Sequence, residues 1–170
     1  LAPTERDRHA AVSYLVRQLA LLRHAGVERI YWYLARDYLD FEGMGLLRRP
    51  ESSFGRYAPN PIYPAYAALI RLLGDATARE RVAADPRTWL LGFTRKDGSP
   101  ITVAWSMRGD TELELRAEQP IAIYDVMGNR QRLAAQGSTV ALRLDTMPVY
   151  LAGRFDLVRE VRDDRVAADS

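Results

Sequence analysis

The sequence contains no cysteine, and this absence removes several kinds of chemistry at once. Disulfide bonds, thiolate nucleophiles and thiolate zinc sites all depend on that side chain. The two histidines, His9 and His24, are too far apart to form the i, i+4 pair with which two histidines on one helix bind a metal. We expect both to lie on the exposed face of a helix. The sequence therefore predicts neither a metal site nor a cofactor.

Long apolar runs and blocks of like charge are also missing. No stretch approaches the length that spans a bilayer, so we expect no membrane span. Lysine and arginine together number 24 against 22 aspartates and glutamates, and they are scattered. Phosphate binding requires basic residues gathered on one face, so no nucleic-acid partner is expected. The chain opens on Leu1-Ala2-Pro3-Thr4 without an initiator methionine or a signal-peptide pattern, which favours a start inside a longer polypeptide.

Residues 27–34 are strongly β-prone, and the first half of the chain is organised around them. Period two gives this predicted strand two apolar faces, with Ile30, Trp32 and Leu34 on one and Tyr31 and Tyr33 on the other. Apolar residues on both faces are typical of a parallel strand that is covered on both sides. Because parallel strands need partners reached through crossovers, the sequence indicates the end of a larger protein.

A helix is predicted before this strand. Its apolar stripe follows the spacing i, i+3, i+4, i+7 and i+10 and consists of Val12, Leu15, Val16, Leu19 and Leu22. Thr4 and Asp7 are expected to form a capping box at its start, and Gly26 is expected to end it.

A long connection and a second helix follow the strand. Residues 35–62 contain several glycines and prolines, so regular structure is unexpected there and a functional loop is favoured. The helix is predicted to start with Pro64 as its first residue and to end at Gly74. Its predicted apolar stripe is Tyr66, Leu69, Ile70 and Leu73.

The second half of the sequence predicts β structure. Residues 76–87 are charged and alanine-rich and are expected to form a helical turn or linker. Short alternating segments within residues 88–157 favour an antiparallel β-sandwich with Trp89 and Trp105 in its core. Residues 158–170 are predicted to be a charged tail that frays. The predicted fold class is thus α/β, over residues 1–75, plus all-β.

Several motifs follow one another in a familiar order. They are Ala-Gly-Val-Glu-Arg-Ile-Tyr-Trp-Tyr at 25–33, Gly-Met-Gly-Leu-Leu at 43–47, Pro-Ile-Tyr-Pro-Ala-Tyr-Ala-Ala-Leu at 61–69 and Tyr-Asp-Val-Met-Gly-Asn at 124–129. In this order they resemble the last repeat of the (β/α)8 barrel of retaining clan-A glycoside hydrolases with its C-terminal β-sandwich. The family 39-like group that includes bacterial biofilm-exopolysaccharide hydrolases is the nearest likeness. The resemblance covers nearly all of residues 1–157.

The resemblance implies a parent enzyme that cleaves a polysaccharide with two glutamates, an acid/base after strand four and a nucleophile at the end of strand seven. Both would lie upstream of Leu1, so we expect no catalytic residue in this chain and no hydrolysis by it alone. The missing N-terminal barrel portion would belong to the same parent chain or to a partner chain. The family also implies secretion or a periplasmic location.

In an eight-stranded barrel, substrate binds at the C-terminal ends of the strands. The candidate substrate-binding residues are therefore Trp32, Tyr33, Arg36, Asp37, Asp40 and Glu42. By resemblance, Trp32 forms the floor of the subsite that holds the attacked sugar. Two alternatives stay open: Trp32 and Tyr33 fill the packed faces of the strand, and Arg36 and Asp37 pair with each other at the barrel rim.

Three functional hypotheses follow. The first is the C-terminal part of a retaining hydrolase, which supplies one wall of a polysaccharide-binding cleft. The second is a non-catalytic accessory or carbohydrate-binding module, which requires an exposed row of aromatic residues on the sandwich. The third is a chain that completes a barrel begun by another polypeptide, which predicts a large exposed apolar surface on residues 1–75.

Overall fold

A computed structural model describes residues 5–38, 41–82, 86–107, 111–132 and 139–162. The chain divides into two compact units. The helical unit comprises residues 1–74 with 126–128, and the β unit comprises residues 75–125 with 129–170. No helix in the described ranges is long and apolar enough to cross a bilayer.

The first helix, α1 (Glu5–His24), forms as predicted. Four residues of its predicted stripe are buried, and they are Val12, Leu15, Val16 and Leu19. The helix ends in a Schellman motif at Gly26, whose φ is +88°. There the Gly26 N–H donates to the Arg23 carbonyl over 3.1 Å and the Val27 N–H to the Leu22 carbonyl over 3.0 Å. Thr4 of the predicted capping box lies outside the described residues.

The second helix, α2 (Ile62–Leu73), begins earlier than the sequence predicts. Pro61 is its N-cap, so Pro64 is its third residue rather than its first. Proline is tolerated there because the first N–H groups of a helix have no intrahelical partner. The predicted stripe is also partly wrong, since the buried residues are Ile62, Ala65, Ala68, Leu72 and Leu73. This helix is apolar nearly all round, so periodicity could not distinguish its packed face.

Residues 27–34 do not form the predicted strand, although their side chains alternate in exposure as in an extended chain; we call them the extended segment. Their side chains do alternate: Ile30 and Trp32 are partly buried and Leu34 is buried, whereas Tyr31 and Tyr33 are 81% and 90% exposed. Within the described residues no strand pairs with this segment. A strand is defined by its hydrogen-bonded neighbours, and these are what the segment lacks. The strongly exposed tyrosines also fit the apolar surface expected of residues 1–75.

The β unit consists of antiparallel strands in two sheets. The larger sheet has the order β1-β2-β3-β8-β5-β6 and the smaller the order β7-β4-β9. The strands are β1 (Thr77–Arg81), β2 (Thr88–Thr94), β3 (Pro100–Ser106), β4 (Thr111–Arg116), β5 (Ala122–Tyr124), β6 (Arg130–Arg132), β7 (Thr139–Leu144), β8 (Val149–Ala152) and β9 (Asp156–Arg162). The predicted alternating segments correspond to β2, β3, β4, β5, β7 and β8.

Both sheets contribute to one hydrophobic core. Leu90 and Leu151 enter it from the larger sheet, and Leu113 and Leu142 from the smaller. Trp105 is 1% exposed and stacks on the partly buried Trp89, with ring centroids 5.6 Å apart. The expectation that these two tryptophans lie in the core is confirmed for Trp105, whereas Trp89 is only partly buried.

Two edge elements correct the prediction. Residues 77–81, expected to be linker, form β1, and residues 156–162, partly expected to be a fraying tail, form β9. All five residues of β1 are exposed, so this strand has no apolar alternation to detect. Charged side chains are common on edge strands because they discourage further pairing. The remainder of the predicted tail, residues 163–170, lies outside the described residues.

Candidate functional site

The long connection after residue 34 folds back on the C-terminal end of the extended segment. Leu47 forms an isolated parallel β-bridge with Arg36 and an isolated antiparallel β-bridge with Pro59. The Asp37 N–H donates to the Leu47 carbonyl over 2.8 Å, and the Leu47 N–H donates to the Ala35 carbonyl over 3.0 Å. Three short extended pieces thus hold the loop that carries most of the candidate residues; we call residues 35–61 the site loop.

A buried polar network fixes this loop. Asp37 is 3% exposed, and its Oδ1 accepts the Gly45 N–H over 2.8 Å while its Oδ2 accepts Asn60 Nδ2 over 2.9 Å. Asn60 Nδ2 also donates to the Gly45 carbonyl over 2.9 Å, and Asn60 Oδ1 accepts Arg8 Nη1 over 2.8 Å. The hydrogen bonds among these groups offset the free energy that their removal from water costs. Both Asp37 oxygens are engaged within the protein, so the geometry gives this carboxylate a positioning function.

Gly45 is required by the same network. A Cβ at this position would lie 2.2 Å from the Arg36 carbonyl carbon and 2.3 Å from the Asp37 backbone nitrogen. Real side chains do not approach backbone atoms so closely, so only glycine permits this crossing of the two loop segments. The motif Gly-Met-Gly-Leu-Leu at 43–47 therefore includes one glycine whose identity follows from packing.

Trp32 lies at the edge of an open groove in the helical unit. Its indole N–H donates to the Met44 carbonyl over 3.1 Å, which fixes one edge of the partly buried ring. The groove has a volume of about 370 Å³, and its lining includes Tyr14, Leu19, Ile30, Trp32, Tyr33 and Phe41. Such a groove, apolar and rich in aromatic rings, offers flat surfaces of the kind that sugar rings stack on.

Arg36 is exposed and lies among tyrosine side chains. Its guanidinium carbon is 5.5 Å from the centre of the Tyr38 ring. Hydrogen bonding to the Tyr38 side chain raises the pKa of Arg36, and Tyr57 acts in the same direction. Neither the rim pair between Arg36 and Asp37 nor any other carboxylate contact of Arg36 occurs among the described residues.

Glu42 has a partner of its own in the site loop. Glu42 lies 3.6 Å from the Arg49 guanidinium, and both side chains are partly exposed. Asp40 lies outside the described residues. The ranges that the structure describes contain no group of three or more His, Asp or Glu side chains able to hold a metal ion.

Sequence reasoning missed Asn60, Tyr57 and Arg8. Asn60 stands between Pro59 and Pro61, and a polar residue enclosed by prolines at a helix start was the available signal. Arg8 lies off the predicted apolar stripe of α1, yet it is 5% exposed. Tyr57 gave no signal, because its contact with Arg36 depends on how the site loop folds.

Exposed aromatic residues are confined to the helical unit among the described residues. They are Tyr14, Tyr31, Tyr33, Tyr38, Phe41, Phe54, Tyr57 and Tyr63. The described part of the β unit exposes only Met107 and Val158 among large apolar residues. An aromatic row on the sheets, which the carbohydrate-binding-module hypothesis requires, is therefore absent from the described β unit.

Comparisons with solved structures indicate what the chain is similar to. It resembles the structure of a family 39 glycoside hydrolase from the gut symbiont Bacteroides cellulosilyticus WH2, with a TM-score of 0.66 and 25% identity. The match covers 84% of this chain and 30% of that protein. The catalytic domain of GH30 xylanase C from Talaromyces cellulolyticus also matches, with a TM-score of 0.44 and 17% identity over 69% of this chain and 28% of that one.

The sequence comparisons add no further relative. No protein-family model matches the sequence, and no curated protein matches it. The chain spans less than a third of the family 39 structure that it resembles. The likeness to that structure supports a relationship to the glycoside hydrolases.

Proposed function

We propose that this chain is the C-terminal part of a retaining glycoside hydrolase that acts on a polysaccharide, with both catalytic glutamates outside residues 1–170. The observation that carries the proposal is the likeness to the family 39 structure, which extends over 84% of this chain but only 30% of that enzyme. Following the sequence resemblance, residues 1–75 would be the last repeat of the barrel and the β unit its C-terminal sandwich. The substrate would be a bacterial extracellular polysaccharide.

The extended segment 27–34 supports this proposal. Its side chains alternate in exposure as in a strand, no described strand pairs with it, and its Tyr31 and Tyr33 are exposed. A second apolar groove of about 150 Å³, lined by Ile30, Leu69 and Ile70, opens along the same segment. We propose that the rest of the barrel, in the same polypeptide or in a partner chain, supplies the missing parallel strands and covers these side chains.

The site loop would then form one wall of the substrate cleft. Trp32 would offer its ring as a sugar platform, with its orientation held by the bond to Met44. Tyr33, Arg36, Asp40 and Glu42 would contact the sugar hydroxyls or ring faces, while Asp37 would hold the loop from below. The chemistry would be double displacement between two carboxyl groups about 5–5.5 Å apart, which belong to the remainder of the barrel.

Binding of neutral oligosaccharides tests the cleft wall directly. Tryptophan fluorescence of the full chain is titrated with cellohexaose, xylohexaose and mannohexaose. We expect at least one of them to change the emission with saturation, and Trp32→Ala to weaken that binding about tenfold or more, as for loss of a stacking platform. Trp89→Phe is the matched control, because Trp89 stacks on Trp105 inside the β unit.

The outcomes separate the parts of the proposal. If Trp32→Ala binds as tightly as the unmodified chain, or if neither these three sugars nor a uronate-containing hexamer binds, the cleft-wall function is wrong. A reducing-end assay on the same samples is expected to show no hydrolysis. Hydrolysis by the pure chain would contradict the placement of both glutamates outside it.

A further inference from the structure

The site loop carries arginine side chains next to aromatic rings at its surface. The Arg36, Arg48 and Arg56 guanidinium carbons lie 5.5, 4.4 and 5.5 Å from the ring centres of Tyr38, Phe54 and Tyr57, respectively. The Arg36 side chain interacts with both Tyr38 and Tyr57, so Tyr38, Arg36, Tyr57 and Arg56 form one continuous group, the Arg–Tyr cluster. All four of its members are exposed.

The described residues supply no acid that balances the charge of this cluster. Among the described residues no carboxylate pairs with Arg36 or Arg56, whereas Glu42 is engaged by Arg49 and Asp37 is buried with both oxygens bonded. A guanidinium has five N–H donors, so the exposed Arg36 can hydrogen-bond to its tyrosine neighbours and still direct the remaining donors at an incoming anion. The cluster therefore combines flat rings with positive charge that no described carboxylate neutralises.

The backbone at Tyr57 indicates that the cluster is held in a defined shape. Tyr57 has φ +56°, a left-handed conformation that bulky residues rarely adopt. The adjoining turn closes through the Ala58 N–H, which donates to the Gly55 carbonyl over 3.2 Å, and the Arg48 N–H then donates to the Ala58 carbonyl over 2.8 Å. Strain of this type is kept where the surrounding structure enforces it, and it is frequent at ligand sites.

We propose that the Arg–Tyr cluster is an acidic-sugar subsite, so that the polysaccharide bound by this chain carries uronate residues. Arg36 pairs with the sugar carboxylate, and Tyr38 and Tyr57 contact the ring that bears it. This inference rests on the proposed function, since it specifies the substrate class of the same cleft wall. A carboxylate matches the planar fork of arginine better than a hydroxymethyl group does, because two parallel hydrogen bonds form.

A matched pair of ligands isolates the carboxylate. Cellohexaose and the hexamer of β-1,4-linked glucuronic acid differ at C6 of each ring, where the second has a carboxylate in place of a hydroxymethyl group. Isothermal titration of the full chain with each is expected to show about tenfold tighter binding of the glucuronate hexamer at low salt. The preference should shrink as ionic strength rises, because the cluster is exposed and its charges are screened.

Variants assign the preference to the cluster. Arg36→Gln is expected to remove the preference for the glucuronate hexamer, because it weakens the binding of that hexamer far more than the binding of cellohexaose. Arg56→Gln should reduce the preference by a smaller factor. Arg116→Gln, which removes an exposed arginine of β4, is the matched control and should change neither affinity. Circular dichroism verifies that each variant is folded.

Each result decides for or against the subsite. Equal binding of the two hexamers, or a preference that survives Arg36→Gln, overturns the acidic-sugar subsite and leaves the proposed glycosidase function standing. Failure of both hexamers and of the neutral panel above refutes the cleft wall and the subsite together. An oligothymidylate hexamer that binds as tightly as the glucuronate hexamer, with equal sensitivity to Arg36→Gln, also overturns the proposal, because the cluster would then bind any polyanion.

Discussion

Replacement of Asp37 by asparagine tests whether a buried carboxylate holds the site loop together. Asp37 accepts one hydrogen bond at each oxygen, from the Gly45 N–H over 2.8 Å and from Asn60 Nδ2 over 2.9 Å. An asparagine of the same shape offers one oxygen and one amide nitrogen. Whichever way that amide turns, one of the two donors then faces another donor.

The expected loss follows from that count. A buried donor left without an acceptor costs about 1–3 kcal/mol. Asp37→Asn should therefore lower the free energy of unfolding by about 1–3 kcal/mol, and Asp37→Ala, which abandons both donors, by about 2–6 kcal/mol. Single domains are commonly stable by only about 5–15 kcal/mol, so the alanine variant is expected to unfold the loop or the whole helical unit.

Urea unfolding at pH 7 provides the free energies, and hydrogen exchange of the Gly45 amide gives a local readout. In Asp37→Asn, the Gly45 amide should exchange faster, and the free energy of opening calculated from its exchange rate should fall by about the stability that is lost. Glu42→Gln is the control, since Glu42 forms a partly exposed pair with Arg49 at 3.6 Å and should cost less than about 1 kcal/mol. A change below about 0.5 kcal/mol for Asp37→Asn, with Gly45 exchange unaltered, would refute the positioning function.

Three further predictions test other parts of the fold. Gly45→Ala should lower the free energy of unfolding by more than about 3 kcal/mol, because its Cβ would lie 2.2 Å from backbone atoms. Gly26→Ala, whose Cβ would have nothing within 4 Å, should lower it by only about 1–2 kcal/mol because of the left-handed φ. Thermal unfolding measures both losses, and equal losses would contradict the close-crossing argument. Hydrogen bonds from the Ser99 hydroxyl and N–H lower the pKa of Asp97 below its ordinary value of 3.8. The ionised carboxylate therefore stabilises the turn above pH 3.8, and this stabilisation is lost as the pH falls through the lowered pKa. An NMR titration of Ser99→Ala should show a higher Asp97 pKa than in the unmodified chain, and an unchanged pKa would exclude the hydroxyl as a cause. Leu113→Ala, at a fully buried core position, should cost about 2–5 kcal/mol in chemical unfolding, and a loss below about 1 kcal/mol would mean that the core has relaxed around the vacancy.

Much of the fold was predictable where periodicity and local signals agree. The first helix has its apolar stripe and a terminating glycine, and the strands β2, β3, β4, β5, β7 and β8 alternate clearly enough to be located, whereas the short, charged β6 does not. The turn at Asp97 combines a glycine of positive φ with a side-chain acceptor two residues before Ser99. In each case the information lies within a few neighbouring residues.

Elements whose structure depends on distant partners were not predictable in the same way. Residues 27–34 have the composition of a strand, but pairing requires strands that the described chain does not supply. β1 and β9 are edge strands whose charged residues hide their pairing with β2 and β4. The face that α2 buries depends on packing, and its own sequence is too uniformly apolar to indicate that face.

The candidate site shows the same division. Its position at the end of the extended segment could be inferred from Trp32 and the glycine-rich loop. The partners of Asp37 could not be inferred, because Asn60 lies 23 residues after Asp37 in the sequence. The next member of the network, Arg8, lies 52 residues before Asn60. Likewise, the Arg–Tyr cluster exists only after the site loop has brought Tyr57 to Arg36.

The central claim is that this chain works as the C-terminal part of a glycoside hydrolase. The most direct test is the intact mass of the polypeptide or complex that carries this sequence in the cells that make it, with every chain identified by mass spectrometry. We predict a parent or partner that supplies the remaining barrel and two glutamates at strand ends, for a total about three times the present length, since the chain spans 30% of the family 39 structure. A lone 19.3 kDa chain without any partner would contradict the account.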